Sequence, residues 1–142
     1  MFAKQLTVFI ENRSGRLSEV LDVLKQNHVN ILSMSLADTT EFGLLRLIVD
    51  NAVLGSEKLT ENGFSSLLSD VSIIQIPHKV GSLQTLLKII DENGGNIEYM
   101  YGLSLASEHA YVVLKASNAA KADEILTQNG IHTLSCSELA NI

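Results

Sequence analysis

The segment ENRSGRLSEV, from Glu11 to Val20, places small and polar residues directly before a helical pattern. The first backbone N–H groups of a helix have no intrahelical partner, and they favour a negatively charged ligand. Gly15 has no Cβ that would keep a ligand away from the backbone. The side-chain amide of Asn12 contains a donor and an acceptor, so it can address both ends of a zwitterion. The segment therefore has the residue types needed to bind a small zwitterionic molecule.

The same residues are also typical of an ordinary turn. Ser14 could be the N-cap of the following helix, with Asn12 and Gly15 forming the loop that leads into it. Arg13 and Arg16 could be solvated. The segment alone leaves both interpretations open.

The chain contains an internal repeat. NRSGRLSEVLDVLKQNHVNI aligns with HKVGSLQTLLKIIDENGGNI at a separation of 66 positions, so that Gly15 matches Gly81. Further on, LTENGF matches LTQNGI at a separation of 67. A solenoid needs about three or more stacked units, so we expect each copy to be a small domain instead. The predicted domains are residues 1–68 and 71–142, joined by a short linker at Ser69 and Asp70.

Both copies predict the same order of elements. Short β-rich runs such as QLTVFIE and VSIIQI predict strands, and apolar residues at i, i+3, i+4 and i+7 then predict a one-faced helix. Leu17 and Leu83 begin these helical patterns, and we expect both in the core. A hairpin, a second helix (about Ser56 to Asn62, and Ala119 to Asn129) and a last strand (FSSLL, and IHTLSCSEL) follow. The order predicts an α+β fold of two tandem ferredoxin-like βαββαβ domains, with antiparallel sheets and the helices on one face.

The motifs of both copies resemble the ACT domain, a regulatory module that binds amino acids. The resemblance rests on a first strand, a loop of the form Asn-Arg-x-Gly-x-Leu, an amphipathic helix, and Asn-Ile 15 residues after the glycine. The first loop, IENRSGRL, is especially similar to that of the serine-binding regulatory domain of D-3-phosphoglycerate dehydrogenase. The family usually has proline just before the glycine, where this chain has Ser14 and Val80.

The resemblance implies a ligand at the seam where two domains align their sheets side by side. It places the loop asparagine at Asn12, the glycine at Gly15, and an asparagine that reaches in from a neighbouring domain at Asn30. Asn30 could instead merely start a strand after a left-handed turn. The expected ligand-binding residues are Asn12, Arg13, Ser14, Gly15, Arg16, Leu17, Asn30 and Ile31.

The second copy is the weaker expected site. His78 stands at the position of Asn12, and Val80 cannot cap a helix. The corresponding residues are His78, Lys79, Val80, Gly81, Ser82, Leu83, Asn96 and Ile97.

Composition and motifs argue against several other functions. A formal net charge of -6 and 5% aromatic residues disfavour nucleic-acid binding. No apolar run reaches the roughly 20 residues of a membrane helix, and the N-terminus lacks a signal-peptide pattern, so we expect a cytoplasmic protein. Cys136 and the four histidines show no metal-ligand spacing, and we expect neither a metal nor a cofactor. No catalytic motif indicates an enzyme.

The sequence therefore predicts a stand-alone tandem ACT-like protein that senses a free amino acid. Ligand binding would favour one domain arrangement, and a separate partner such as a regulated enzyme would respond to it. We also expect a homodimer, because the edge strands of small sheets invite pairing. The competing hypothesis is a protein–protein interaction module that no longer binds a small ligand. The polar loop favours the sensor, since a pure adaptor needs neither Asn12 nor Gly15.

Overall fold

The computed structural model describes residues 2–11, 13–38, 41–103 and 109–142. It contains the order βαββαβ twice, with antiparallel strand pairs, and so confirms the predicted α+β fold class. The first copy comprises β1 (Ala3–Glu11), α1 (Arg16–Gln26), β2 (Ile31–Asp38), β3 (Phe42–Val49), α2 (Ala52–Glu61) and β4 (Ser65–Pro77). Strand β4 is also the first strand of the second copy. The second copy continues with α3 (Ser82–Glu92), β5 (Ile97–Leu103), β6 (His109–Ala116), α4 (Ala119–Gln128), β7 (His132–Leu134) and α5 (Cys136–Ala140).

Strand β4 differs from the sequence-based expectation. FSSLL and VSIIQI were expected to form separate strands around a linker at Ser69 and Asp70, but Ser65–Pro77 is one strand. No glycine or proline interrupts this stretch before Pro77, so nothing in it breaks an extended backbone. The chain divides into two compact units, formed mainly by Lys4–Ser69 and by Asp70–Glu138. The domain bounds 1–68 and 71–142 stay a prediction.

In the first unit the strands follow the order β4-β1-β3-β2. Leu6, Val8 and Ile10 alternate along β1, and their side chains pack in one buried cluster with Val20 and Leu24 of α1. Full burial of such an aliphatic side chain contributes about 1.5–3 kcal/mol. Leu17 packs against the same cluster, which confirms its predicted place in the core.

In the second unit the order is β7-β4-β6-β5. Ile74 and Ile76 of β4 pack with Leu86 and Ile90 of α3. The prediction that Leu83 is a core residue was wrong, because its side chain is 44% exposed. Leu83 lies in the first turn of α3, and the core begins one turn later, at Leu86.

The strand registers locate the extra residue of the second copy. Ile31 pairs with Val49 in the first copy and Ile97 pairs with Ala116 in the second. Equivalent residues of β2 and β5 are therefore 66 positions apart in the sequence, whereas equivalent residues of β3 and β6 are 67 positions apart. The additional residue lies in the segment between Leu103 and His109, which connects two paired strands.

The start of α2 and the elements at the C-terminal end of the chain also differ from the expectation. Helix α2 begins at Ala52, four residues before the predicted start, because the side chain of Asn51 accepts a hydrogen bond from the N–H of Leu54 at 3.2 Å. The expected last strand is only three residues long, and α5 follows it. Ser135 and Glu138 form a reciprocal capping box, with bonds of 3.1 and 3.2 Å, that starts this helix.

The described residues include no helix with the length and apolarity required to cross a membrane.

Substitution of Gly95 tests how closely α3 and the start of β5 are packed. A Cβ at Gly95 would lie 2.7 Å from Cγ2 of Ile90 and 3.2 Å from its backbone oxygen. We expect Gly95→Ala to lower the free energy of unfolding by about 1–3 kcal/mol, because overpacked cores rearrange at that cost. Urea denaturation measures the change. Gly102→Ala is the control, since nothing lies within 4 Å of its added Cβ; equal stability of both variants would contradict the prediction.

Candidate functional site

The loops before α1 and α3 have the same backbone geometry. Gly15 is the N-cap of α1 with φ 85° and ψ -9°, and Gly81 is the N-cap of α3 with φ 86° and ψ -7°. A side chain in this left-handed region costs roughly 1–2 kcal/mol, so glycine is favoured. The alternative that Ser14 caps the helix was wrong, because Gly15 takes that position without a side-chain capping bond. The duplication has thus preserved a turn whose left-handed conformation favours glycine.

A cavity of about 600 Å³ adjoins the first loop. Three of the predicted site residues line it, namely Arg13, Gly15 and Leu17. Glu11 also lines it, so an acidic and a basic residue both border the cavity. These two charges match the ammonium and the carboxylate of a zwitterion. Asn12 lies outside the described residues, and its role stays a prediction.

Arg16 does not face this cavity but lies over an aromatic ring. Its guanidinium carbon is 4.0 Å from the ring centroid of Phe64, and its Nη1 donates to Oε2 of Glu19 at 2.7 Å. The side chain is only 14% exposed, and among the described residues its buried Nε has no hydrogen-bond partner. The alternative of a solvated side chain is therefore wrong for Arg16, while Arg13 is exposed. Arg16 also lines a second, smaller cavity of about 290 Å³.

Other predicted residues of the first site lie away from its cavity. The N–H of Asn30 donates to Oδ1 of Asp50 at 2.9 Å, and Ile31 packs against the core. Asp38 is at the other end of β2, beside the cavity-lining Gly43. Seven residue steps of about 3.3 Å separate Ile31 from that end, or roughly 23 Å. Within one unit, Asn30 therefore lies far from the loop that precedes α1.

The second copy has its own cavity, of about 590 Å³. Four of the residues predicted for the second site line it, namely Lys79, Val80, Gly81 and Ser82. The remaining predicted residues are elsewhere. His78 and Leu83 are exposed and do not line the cavity, the side-chain amide of Asn96 donates to Oγ of Ser117 at 2.8 Å, and Ile97 packs against the core.

Strand pairing brings further residues to the two loops that the sequence analysis missed. Glu11 pairs with Phe42, and Pro77 pairs with His109. In a βαββαβ domain the third strand starts beside the end of the first, so the element order contained this signal. His132 reaches the second cavity in the same way, from the strand on the other side of β4.

Within the described residues, no group of histidine, cysteine, aspartate and glutamate side chains is arranged to hold a metal ion.

Comparison with protein families gives a match to the model of the ACT domain pair over residues 1–142. The chain belongs to the ACT domain pair family, which confirms the family resemblance inferred from the loop motifs. ACT domain pairs are regulatory modules. The particular similarity of the first loop to D-3-phosphoglycerate dehydrogenase is not confirmed.

Solved structures show the same fold. Protein BT0572 from Bacteroides thetaiotaomicron is 36% identical, with a TM-score of 0.94 over 100% of this chain and 98% of that chain. The regulatory subunits of aspartate kinase from Thermus thermophilus, in its ligand-free form, and from Thermus flavus are 19% and 18% identical. Their TM-scores are 0.60 and 0.54, with 88% and 90% of this chain and 91% and 93% of theirs covered. A comparison with curated proteins gave no match.

The Arg16–Phe64 contact should be measurable as a coupling free energy. We expect a double-mutant cycle of Arg16→Met and Phe64→Leu, followed by urea denaturation, to give about 0.5–2 kcal/mol, the range of cation–π contacts. Glu19→Gln is the control, because the Glu19 side chain is exposed and its ion pair with Arg16 should contribute only about 0–1 kcal/mol. A coupling free energy near zero would show that the stacking contributes nothing.

Proposed function

We propose that this chain is a regulatory module that binds a free amino acid in the cavity beside the first loop. The presence of Glu11 and Arg13 on one cavity wall supports this proposal most directly. The carboxylate would accept from the ligand ammonium, and the guanidinium would donate to the ligand carboxylate in charge-assisted hydrogen bonds. Asn12 and the backbone at Gly15 complete the proposed site.

The family supports a regulatory role, and so do two of the structural neighbours, which are themselves named regulatory subunits of aspartate kinase. We propose that ligand binding shifts the equilibrium between domain arrangements and that a separate enzyme or other partner responds to the shift. On this proposal the chain contributes no catalytic step of its own.

A neighbouring ACT domain would complete the ligand site. Asn30 precedes Ile31, at the end of β2 that lies roughly 23 Å along the strand from the end beside the cavity, so an asparagine at this position can reach a ligand only if another domain presents it. This agrees with the seam site that the family resemblance implies. A homodimer is one way to supply the second domain.

Amino-acid binding is tested by thermal shift with each of the twenty amino acids and by titration calorimetry of every compound that raises the melting temperature. Ligand at 100 times its dissociation constant should stabilise the folded protein by about 2.7 kcal/mol. We expect Arg13→Gln to weaken binding by about 10- to 100-fold, the loss of one hydrogen bond to a charged group, and Asn12→Ala to weaken it as well.

Lys25→Gln, which removes an exposed cation that does not line the cavity, and His78→Ala are the controls and should leave this binding unchanged. If no amino acid at millimolar concentration shifts the melting of the folded protein, the alternative of a protein-interaction module replaces the proposal.

Dimer formation is expected through the edge strand β2. Met34 lies on β2 with 43% of its surface exposed, and β2 ends the strand order of the first unit. Sedimentation equilibrium should give twice the chain mass of 15.4 kDa, and Met34→Lys should shift the protein towards monomer because a charge blunts edge pairing. Val53→Lys, at a 55% exposed position of α2, is the control. A monomer with and without ligand would exclude the dimer.

A further inference from the structure

We propose that the cavity of the second copy binds a short carboxylate with a branched aliphatic chain. The proposal rests on the proposed regulatory binding function and names a ligand class for the second loop. It follows from a difference between the two copies in the residues that pack at the start of the first helix.

The two residues of the stacked pair in the first copy are both replaced in the second. At separations of 66 and 67 positions, Arg16 corresponds to Ser82, and Phe64 corresponds to Ile131. The guanidinium and the ring fill space between α1 and the start of β4. A hydroxymethyl group and a branched aliphatic chain at the same places have much smaller volumes.

The cavities change in the way that these substitutions predict. Around its first loop, the first copy has two cavities of about 600 and 290 Å³, and Ile10 and Glu11 line both. In the second copy the counterparts of every residue that lines the smaller cavity belong to one cavity of about 590 Å³. That cavity also includes Lys79 and Gly81, the counterparts of Arg13 and Gly15 from the larger one. The open space therefore joins the loop to the interior beside Ile131.

The joined cavity reaches an aliphatic wall. Leu86 and Ile89 of α3 line it, together with Ile76 of β4 and Ile131. In the first copy the counterparts of the two helix residues, Val20 and Val23, line neither cavity. A polar ligand group against four aliphatic side chains would lose its hydrogen bonds to water, whereas a hydrocarbon branch would be buried favourably.

The mouth of the cavity offers donors for a carboxylate. Lys79 is exposed at the loop and provides an ammonium, and Ser82 contributes a half-buried hydroxyl group. Oγ1 of Thr85 already donates to the backbone oxygen of Gly81 at 3.0 Å, so it holds the loop. An ammonium at the rim and hydrocarbon below it together select an amphipathic carboxylate, which an amino acid or the corresponding 2-oxo acid can supply.

Affinity should rise with the size of the aliphatic group. Each buried methylene contributes about fourfold in affinity, so leucine, with three more carbons than alanine, should bind about 60-fold more tightly to this cavity. Leucine and 4-methyl-2-oxopentanoate have the same branched chain, and they distinguish the amino-acid form from the oxo-acid form of the ligand. Stronger binding of either compound supports the proposal and identifies the form.

The experiment is titration calorimetry of the full chain in the Arg13→Gln background, with leucine, 4-methyl-2-oxopentanoate and alanine as probes. The double variant Ser82→Arg with Ile131→Phe introduces the first copy's pair into the second copy. We expect it to weaken binding of the branched probe at least tenfold. Leu83→Arg is the matched control, since it adds the same charge one position along α3 at a residue that does not line the cavity. This control should keep the affinity.

Circular dichroism establishes that the double variant is folded. If it does not fold, Ile89→Gln serves in its place, because Ile89 is half-buried and an amide there should also weaken binding at least tenfold. If the double variant, whose cavity is filled, still binds the branched probe, this proposal is overturned. The proposed function is tested separately: it stands if Arg13→Gln alone weakens binding of an amino acid. No binding of either branched probe at millimolar concentration would also overturn the proposal.

Discussion

A left-handed glycine at the start of a helix determines how each copy of this chain is built. Gly15 and Gly81 turn the backbone from the end of a central strand into the helix that covers the sheet, with almost the same dihedral angles. The same turn is closed in both copies by a backbone hydrogen bond. The N–H of Arg13 donates to the backbone oxygen of Glu11, and the N–H of Lys79 donates to that of Pro77. Because the turn fixes where the helix begins, it also fixes which residues face the space beside the loop.

The two copies have the same backbone turn but differ in the side chains that pack beside it. In the first, Arg16 lies on Phe64 and lines the smaller cavity, while Arg13 lines the larger one. In the second, Ser82 and Ile131 leave a continuous space with a hydrocarbon wall. The two copies therefore keep the same order of strands and helices although the side chains at these two positions differ.

Much of this architecture could be predicted from the sequence, because the repeat at 66 positions showed every element twice. Propensity and periodicity alone could not show that β4 is continuous or that Leu83 is exposed, since both depend on where packing ends along an element. The capping box of Ser135 and Glu138 was present in the sequence but lay within an apparently β-rich run. The Arg16–Phe64 contact joins residues 48 positions apart, and no local pattern predicts such a pair. The loops themselves were correctly located, whereas the residues opposite them became visible only through strand pairing.

The position of the single extra residue in the second copy indicates where the chain tolerates a change of length. Side chains alternate between the two faces of a strand, so one residue added inside β6 would move every following side chain of that strand to the wrong face. The added residue lies instead between Leu103 and His109, and the pairing of β5 with β6 retains the register of the first copy. This segment is therefore the natural place to insert a peptide tag or a reporter without changing the sheet.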